Sequence, residues 1–407
     1  MLFFLKANIR WLSGGFLLLF ASAFGQTFFI ALSGGEIRAA FGLTHGAFGG
    51  LYMAVTLLAA LCLAWVGPVV DRRPVRHVLL FTLPLLALGA LGLGLAQSLW
   101  FFLPALFLLR FAGQGMLVHI AYTALGRWFA SGRGRAISIS ALGLNMAQAV
   151  LPLAFVALAV WSGWRDIWLL AAAVLLLVVL PLAWTLTRVE RDPQHGMAAG
   201  TQPQAVRDWT RSQVLRDPIF YVLLLGMLPP AFISNTVFFH QVHLSELRGW
   251  GPEVFAAAFP VYAMVTVANL LLAGHLVDRL SARALLPFYL IPFGLGLVLL
   301  SLVDAPWSAY GFMALYGVSD GFSLALFGAL WPEVYGTRHL GAIRGAIVAM
   351  MVLASALGPG LSGALIDLGL GFPWQLAGLG AYCLIITLPL LAARARLMSR
   401  LSPARPA

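Results

Sequence analysis

Two charged residues lie inside long apolar stretches of this 407-residue sequence, Arg110 and Asp320. A charge in an apolar membrane interior is costly, so it usually faces a cavity, a partner or a ligand. Arg110 is therefore a candidate for binding or coupling, and the alternative is an arginine held by backbone carbonyls or an acid on another helix. Asp320 is a candidate proton carrier, because an apolar medium favours a protonated carboxyl group. The alternatives for Asp320 are a fixed ion pair with Arg110 and a packing contact beside Gly321.

Neutral polar residues extend this candidate substrate or coupling cavity. Gln114 lies four positions after Arg110 and so shares its helix face. A polar side chain within an apolar helix can line a cavity or hydrogen-bond a neighbouring helix. The remaining candidates are Gln26, Asn145, Gln148, Asn235 and Asn269.

The elements that must position these residues are long apolar helices. The sequence is 61% hydrophobic and 10% charged, with a mean hydropathy of +0.93, whereas a soluble domain is about 25% charged. A spanning helix needs about 20 apolar residues, and the continuous runs lack the alternation of a β-barrel strand. The sequence thus predicts an all-α membrane protein with twelve transmembrane helices. They lie near 11–32, 46–68, 78–97, 100–124, 136–160, 164–187, 218–242, 252–276, 284–303, 306–331, 342–364 and 372–393.

The distribution of basic residues predicts the orientation. Of the 25 lysines and arginines, 21 fall in the termini and loops of one side, and such residues resist translocation. Both termini are therefore predicted to be cytoplasmic. The basic residues are scattered through these segments, which favours contact with the lipid bilayer over nucleic-acid binding. Arginine supplies all but one of the 25, a bias that suggests a bacterial protein of the cytoplasmic, or inner, membrane.

The sequence repeats itself after about 207 residues. Gly67, Asp71, Arg72 and Arg76 recur as Gly274, Asp278, Arg279 and Arg283, and Pro152 recurs as Pro359. Several matches at one offset indicate duplication of a six-helix unit. We therefore predict two pseudo-symmetric six-helix bundles, at 1–187 and 218–407, joined by a cytoplasmic linker at 188–217.

The pattern Gly-x-x-x-Asp-Arg-x-x-x-Arg at 67–76 resembles the signature of the major facilitator superfamily. The segment Arg110-x-x-Gly113-Gln114-Gly115 resembles the helix 4 motif of that superfamily, and Pro74 stands where the family usually has glycine. The resemblance implies transport by alternating access, with both copies of the motif acting as a cytoplasmic gate. The physical alternative is a turn with solvated charges that only sets the topology.

Secondary active transport of a small-molecule substrate is the predicted function. No Walker-type or His-Glu-x-x-His motif occurs, so we predict no ATP-driven step, enzyme activity, cofactor or metal. Arg110 and the linker Arg191-Asp192-Pro193-x-x-Gly196, which resembles that of monocarboxylate and oxalate/formate porters, favour a small organic anion coupled to a proton or counter-solute. We expect a monomer.

Two other functions remain open at this stage. Aromatic residues would also suit a hydrophobic drug or a siderophore in an efflux pump, namely Phe24, Phe28, Phe29, Phe232, Phe238 and Phe239. A membrane assembly factor without transport is the third candidate, since a fold does not determine a function.

Four charged or titratable residues lie at the predicted outer mouth. They are Glu36, Arg38, His240 and His243, and we expect them to be solvated loop residues rather than gating groups.

Overall fold

The computed structural model describes residues 2–129, 132–189, 208–336 and 338–401, and every regular element in these ranges is helical. Two π-helical segments, Leu109–Leu117 and Leu175–Val179, connect α7 with α8 and α10 with α11 as numbered below. The helices up to residue 189 are α1 (Leu2–Ser22), α2 (Thr27–Ile30), α3 (Gly34–Phe41), α4 (His45–Val66), α5 (Val69–Arg72), α6 (Val75–Leu95), α7 (Leu99–Leu108), α8 (Val118–Trp128), α9 (Arg133–Ala159), α10 (Trp164–Val174) and α11 (Leu180–Thr187).

The later helices begin after residue 208. Of the predicted linker at 188–217, residues 190–207 lie outside the described ranges. These helices are α12 (Arg211–Val214), α13 (Pro218–Met227), α14 (Pro229–Phe239), α15 (Gln241–Leu247), α16 (Glu253–Leu280), α17 (Ala282–Leu285), α18 (Ile291–Leu302), α19 (Trp307–Tyr335), α20 (Leu340–Asp367), α21 (Phe372–Ile385) and α22 (Thr387–Leu401).

Within the described ranges, 11 helical stretches are long and apolar enough to cross a membrane. The predicted span at 284–303 differs, because its apolar helix, α18, has only 12 residues. Pro287 and Pro292 both fall in this region, and proline cannot donate the backbone hydrogen bond of a continuous helix. The all-helical membrane architecture is confirmed, while the count of twelve and the position of the termini stay predictions.

Large apolar side chains cover much of the outer surface. Trp65, Trp100 and Trp161 are 87%, 87% and 89% exposed, and exposed aromatic residues of this kind are typical of membrane interfaces. This surface fits a lipid environment, because a soluble monomer rarely exposes extended apolar patches.

The described chain forms two compact units. The first contains the described residues of Met1–Gly200 with Phe238–His243 and Pro359–Ala364, and the second contains the described residues of Thr201–Val237, Leu244–Gly358 and Leu365–Ala407. In the first unit, α1 packs along α9, and α6 packs on α7 and α10. In the second unit, α16 packs along α19, and α18 packs on α19 and α21. Each unit thus has its own helical core.

Local sequence signals set several helix ends. The Thr44 hydroxyl accepts a hydrogen bond from the Ala47 N–H at 3.1 Å, which caps the start of α4. Gly42, with φ of +62°, ends α3 in the left-handed conformation that glycine adopts without strain. Asp217 caps α13 by accepting from the Ile219 N–H at 3.2 Å. Such caps satisfy backbone donors that have no partner within the helix.

Candidate functional site

Arg110 lies in the core of the first unit, within the π-helical segment Leu109–Leu117, and is 2% exposed. Its Nε donates to the Thr56 hydroxyl at 3.1 Å, and its Nη1 donates to the Gly25 carbonyl at 2.9 Å. The guanidinium also lies over the Tyr52 ring, with 4.8 Å from Cζ to the ring centroid. The third nitrogen, Nη2, is buried and has no hydrogen-bond partner among the described residues. All partners found for Arg110 are neutral.

A break after α1 supplies the carbonyl that Arg110 uses. At Gln26 the chain is extended, with φ of −84° and ψ of 152°. The Phe29 N–H bonds to the Gln26 carbonyl at 3.2 Å and not to Gly25, so the Gly25 carbonyl remains available to the guanidinium. The interruption of the helix at Gln26 therefore frees a backbone carbonyl, that of Gly25, to accept a hydrogen bond from the buried Arg110 guanidinium.

Close contact between two glycines brings the break against the π-helical segment. A Cβ placed on Gly25 would lie 2.7 Å from the Gly113 Cα, and a Cβ on Gly113 would lie 2.7 Å from the Gly25 Cα. Real Cβ atoms do not approach other atoms this closely, so both positions require glycine. π-Helical segments are rare and occur often at functional sites.

Tyr52 and Thr27 complete the environment of Arg110. The Tyr52 hydroxyl donates to the Thr27 hydroxyl at 2.9 Å, and the Arg110 Nη1 lies 3.5 Å from the same Thr27 oxygen. Tyr52, Thr27 and Thr56 were not among the site residues predicted from the sequence. The spacing of Tyr52 and Thr56 by four residues on α4 is the one signal that could have placed them on a common face.

Asp320 belongs to a tyrosine cluster in the second unit. The Tyr262 hydroxyl donates to the Asp320 Oδ2 at 2.8 Å, and Tyr316 is hydrogen-bonded to the same carboxylate. The two tyrosine rings stack with centroids 5.0 Å apart, and both residues are less than 5% exposed. Tyr316 is also hydrogen-bonded to Ser234. A carboxylate in this position accepts hydrogen bonds from hydroxyl groups, and no basic side chain is among these contacts.

Two glycines on α19 allow α16 to approach Asp320 closely. A Cβ on Gly317 would lie 2.9 Å from the Tyr262 carbonyl oxygen, and a Cβ on Gly321 would lie 2.8 Å from the Leu270 nitrogen. Small residues four positions apart let helix backbones approach in membranes. Gly317 and Gly321 flank Asp320, so this packing brings Tyr262 within hydrogen-bond distance of the carboxylate.

The neutral polar candidates divide into two groups. Asn235 and Asn269 donate to carbonyls one turn earlier on their own helices, at 2.8 Å to Ala231 and 2.9 Å to Val265. The other four are half-buried or buried, and their side chains form no hydrogen bond with any described residue. They are Gln26, Gln114, Asn145 and Gln148.

The first copy of the predicted gate motif makes contacts within its own unit. The Gly67 carbonyl lies 3.2 Å from the His119 Nε2, and Arg76 donates to the Arg188 carbonyl at 3.2 Å while lying over the Trp184 ring. Asp71 and Arg72 are both exposed. The structure thus shows local contacts for the motif at Gly67–Arg76, which we call the first corner, and a gating role for it stays a prediction.

The second copy has a different partner. The Arg283 Nε lies 3.5 Å from the Glu333 Oε1, and the Glu333 Oε2 accepts from the Ala282 N–H at 2.9 Å. Gly274 has open space around its Cα, Arg279 is exposed, and the side chain of Asp278 lies outside the described part of the structure. Glu333 was not among the residues predicted from the sequence. Through these contacts it binds Ala282 and Arg283, at the end of the second motif copy, to α19.

The expectation of solvated residues at the outer mouth is wrong for His240. This side chain is 2% exposed, and its Nε2 lies 3.3 Å from the Pro359 carbonyl. Desolvation lowers the pKa of His240 to about 3 and that of the half-buried His243 to about 4. Both rings lie near His45, which sequence analysis did not select. The error arose because the end of an apolar run can be a solvated turn or a packed segment, and hydropathy does not distinguish the two.

Among the described residues, no three histidine, cysteine, aspartate or glutamate side chains are grouped so that they could hold a metal ion.

Comparison with known proteins agrees with this architecture. The sequence profile of the Major Facilitator Superfamily matches residues 15–359 and 232–406. The chain belongs to this superfamily and is a membrane transporter. Two similar proteins are the oxalate:formate antiporter of Oxalobacter formigenes, 24% identical over 76% of this chain and 73% of that protein, and monocarboxylate transporter 11 of Mus musculus, 27% identical over 73% and 67%.

A solved structure supports the fold. The inward-facing, unoccupied bacterial homolog of the human lysosomal transporter Spinster superposes with a TM-score of 0.67 and covers 96% of both chains. The sequence identity is 17%, so this likeness concerns the fold alone.

Proposed function

We propose that this protein is a secondary active transporter of a small organic anion, with Arg110 binding the anionic group. The observation that carries the proposal is the buried Nη2 of Arg110, which has no described hydrogen-bond partner. Its other two nitrogens already bond to neutral oxygens. A carboxylate of the substrate would satisfy Nη2 and compensate the charge at the same time.

The cost of an uncompensated buried charge supports this assignment. Removing one ion from water costs several kcal/mol even after relaxation, and neutral hydroxyl and carbonyl groups compensate it in part. Arg110 is therefore held in position for a ligand that brings the opposite charge. Tyr52 and Thr56 position the guanidinium and need not contact the substrate.

Asp320 is proposed as the coupling group. Hydroxyl groups from Tyr262 and Tyr316 can hydrogen-bond either the protonated or the ionised carboxyl group, since a hydroxyl both donates and accepts. The described contacts of Asp320 therefore permit a change of protonation without a lost partner. Proton coupling, rather than a fixed ion pair, is the role that this environment supports.

Two further observations bear on the substrate. The similar proteins named above are an oxalate:formate antiporter and a monocarboxylate transporter, both of which by name act on organic acids. Five of the six aromatic residues that would suit a drug site are buried, and Phe232 is half-buried. Among the buried ones, Phe29 packs edge to face with Phe24, Phe155 and Trp168 at centroid distances of 5.2 to 5.7 Å. The efflux alternative is thereby less well supported.

We also propose the architecture and location that the sequence predicts. The protein has twelve transmembrane spans in a bacterial inner membrane, with both termini in the cytoplasm. The spans form bundles at 1–187 and 218–407, and the protein is a monomer. The corners at Asp71–Arg72 and Asp278–Arg279 are proposed to act at the cytoplasmic gate. The Arg283 pair with Glu333 is the contact that such a gate would depend on in the second unit.

The test is uptake by purified protein in liposomes, with labelled formate, oxalate, lactate, a neutral sugar and a cationic drug as separate substrates. We expect saturable uptake of at least one organic acid. Arg110→Gln should reduce that uptake at least about 30-fold, because truncating one partner of a buried charge pair costs about 2–5 kcal/mol.

The matched control is Arg211→Gln, the same substitution at an exposed position. It should leave uptake within about twofold of the unmodified protein, as expected for a surface substitution. Uptake of the neutral or cationic compound alone, or organic-acid uptake that survives Arg110→Gln, would contradict the proposal. Absence of flux for every substrate would favour the assembly-factor alternative.

A further inference from the structure

A cavity of about 720 Å³ lies in the first unit among α4, α5, α6 and the π-helical segment. Its buried floor includes Phe111 and Met116, and its walls include Phe81, which is 73% exposed, and Val66, which is 43% exposed. Cavities of about 300–1,000 Å³ are typical of ligand sites. The exposed apolar walls belong to membrane-spanning helices, so acyl chains of the bilayer can reach this cavity directly.

One end of the same cavity is basic. Arg73 and His77 line it, and both are exposed. The Arg73 side chain forms no hydrogen bond or ion pair with a residue whose side chain the structure describes. Apolar walls with the Arg73 guanidinium and the His77 imidazole at one end match the shape and hydrogen-bonding needs of a membrane lipid with an anionic headgroup.

The N-terminus of α6 adds a second reason for an anion. The positive end of a helix dipole favours negative charge, and basic side chains there are unfavourable. The first turn of this 21-residue helix has no acidic residue, yet it carries Arg76 and His77, with Arg73 just before it. A phosphate group at this position would interact favourably with both the helix end and the side chains.

We propose that this cavity binds an anionic phospholipid, with an acyl chain along Phe81 and Phe111 and the phosphate between Arg73 and His77. This site is separate from the residues proposed to bind the transported anion. It would favour anionic over zwitterionic lipids of the same chain length.

Native mass spectrometry of the delipidated, intact protein tests this proposal, with dioleoyl phosphatidylglycerol or dioleoyl phosphatidylcholine added at equal concentration. We expect several-fold more phosphatidylglycerol adduct. The double variant Arg73→Gln/His77→Gln should lose that preference, whereas the matched double variant Arg211→Gln/His275→Gln should keep it. Val66→Trp, which narrows the cavity, should reduce adducts of both lipids.

Two results would overturn the proposal. One is equal retention of the two lipids by the unmodified protein. The other is an unchanged preference for phosphatidylglycerol in Arg73→Gln/His77→Gln. Retention of detergent but neither lipid would show an apolar cavity without headgroup recognition and would also contradict it.

A second inference comes independently from a histidine cluster in the first unit. The His45 and His243 ring centroids are 4.0 Å apart, and the His240 centroid lies 6.1 Å from His45 and 6.5 Å from His243. Arg38 Nη1 lies 3.1 Å from His45 Nε2. Because a guanidinium only donates, His45 Nε2 accepts and carries no proton. The cluster joins α3 and the start of α4 to the segment Phe238–His243.

The surroundings of these histidines disfavour positive charge. The charged or titratable groups that act on His240 include His45, His243 and Arg38, and those that act on His243 include His45 and Arg38. Each of them lowers the pKa of the histidine on which it acts. Phe239 adds apolar packing, since its ring stacks on Phe48 at 4.9 Å.

We infer that the cluster is an acid-sensitive contact, which holds the segment Phe238–His243 against α3 and α4 while the histidines are neutral and releases it when they are protonated. A histidine whose pKa is depressed in the closed contact stabilises that contact above pH 6.5 and ceases to do so as the pH falls below 6.5. With pKa values of about 3 and about 4 for His240 and His243 in the contact, acidification from pH 7.5 to 5.5 should shift the equilibrium toward release about tenfold for each histidine.

Spin labels at Ala40→Cys on α3 and at Val242→Cys in the segment Phe238–His243, both in the first unit, report this change in the full-length protein after Cys62→Ser and Cys383→Ala. We expect a longer distance to gain population at pH 5.5 relative to pH 7.5. His240→Gln and His243→Gln should each weaken the response, and the double variant should remove it, while the exposed His275→Gln should preserve it.

A distance distribution that does not change with pH would overturn this inference, as would an unchanged response in His240→Gln/His243→Gln. The measurement needs no transported substrate, so its result does not depend on the identity of the solute.

Discussion

The two units place opposite charges at related positions. The offset of 206 residues that relates Gly115 to Gly321 also relates Arg110 to Tyr316 and Gln114 to Asp320. In the first unit the cation is held by hydroxyl and carbonyl oxygens and an aromatic face. In the second unit the acid is held by tyrosine hydroxyl groups. The two units thus surround their charged residues with different neutral partners, at positions that the predicted repeat relates.

The comparison teaches that shared backbone packing can serve two kinds of chemistry. Each unit uses glycine to bring a helix close to its charged residue, through Gly25 and Gly113 in one and Gly317 and Gly321 in the other. Close approach provides backbone and hydroxyl groups without a counter-charge. A site for an anion and a site for a proton both require a charged residue that binds its partner reversibly.

The largest expected effect concerns the acid of the second unit. Asp320→Asn should abolish accumulation driven by an imposed proton gradient, because the amide cannot carry the proton. A gradient of one pH unit can drive about a tenfold accumulation of a monovalent anion with one proton. The accumulation ratio in liposomes, with and without the gradient, measures this effect.

Exchange of internal for external substrate supplies the control for Asp320→Asn. It should continue, since Arg110 is unaltered. Proton-driven accumulation that persists in the variant would exclude an essential proton role for Asp320 and break the comparison between the two sites.

The next effect tests the glycine contacts. Gly113→Ala and Gly321→Ala should each lower the free energy of unfolding by about 1–3 kcal/mol, because the new Cβ would overlap backbone atoms of Gly25 or of α16. Denaturant unfolding in one detergent would measure both. The matched controls are Gly126→Ala and Gly328→Ala, which have nothing within 4 Å of the new Cβ.

The two control substitutions should raise the free energy of unfolding or leave it unchanged, because alanine stabilises a helix relative to glycine by up to about 1 kcal/mol. Equal effects in all four variants would mean that helix propensity, and not close approach, governs these positions.

The smallest effect separates the two tyrosines. Tyr262→Phe removes a hydrogen bond to a carboxyl group and should cost about 1.5–3 kcal/mol if Asp320 is ionised. Tyr52→Phe removes a bond to the neutral Thr27 hydroxyl, keeps the ring under Arg110, and should cost about 1 kcal/mol. Thermal unfolding of the two purified variants shows which substitution destabilises the protein more. A larger loss of stability for Tyr52→Phe than for Tyr262→Phe would contradict our interpretation that the Asp320 site depends more strongly on its tyrosine hydroxyl group.

Much of the architecture was predictable because the bilayer constrains it strongly. A backbone in lipid must satisfy its own hydrogen bonds, so long apolar runs become helices. Arg110 and Asp320 stood out for the same reason, since a charge in such a run is unusual. The break at Gln26 and the short helix Ile291–Leu302 were not predictable from hydropathy, because an apolar sequence can continue through an interruption of the helix.

The partners of the charged residues were much less predictable. Tyr262 and Tyr316 are aromatic residues in apolar helices, and nothing in their local sequence separates a buried hydroxyl that bonds Asp320 from one that faces the headgroups. The histidines illustrate the same limit, because His45 and His243 are nearly 200 positions apart in the sequence but have rings in contact.

By itself, the sequence determined that this is a helical membrane protein with a cation and an acid inside its apolar helices, and it predicted a duplicated unit. Hydropathy, charge distribution and a constant offset are properties of the chain, and they need no knowledge of which helices pack together. Only the tertiary structure decided that the Arg110 Nη2 is buried without a hydrogen-bond partner among the described residues. It also decided that tyrosine hydroxyl groups hydrogen-bond the Asp320 carboxylate. The physical reason is that hydrogen bonding and burial depend on distances of a few ångströms between residues far apart in the sequence, and helix packing alone sets those distances.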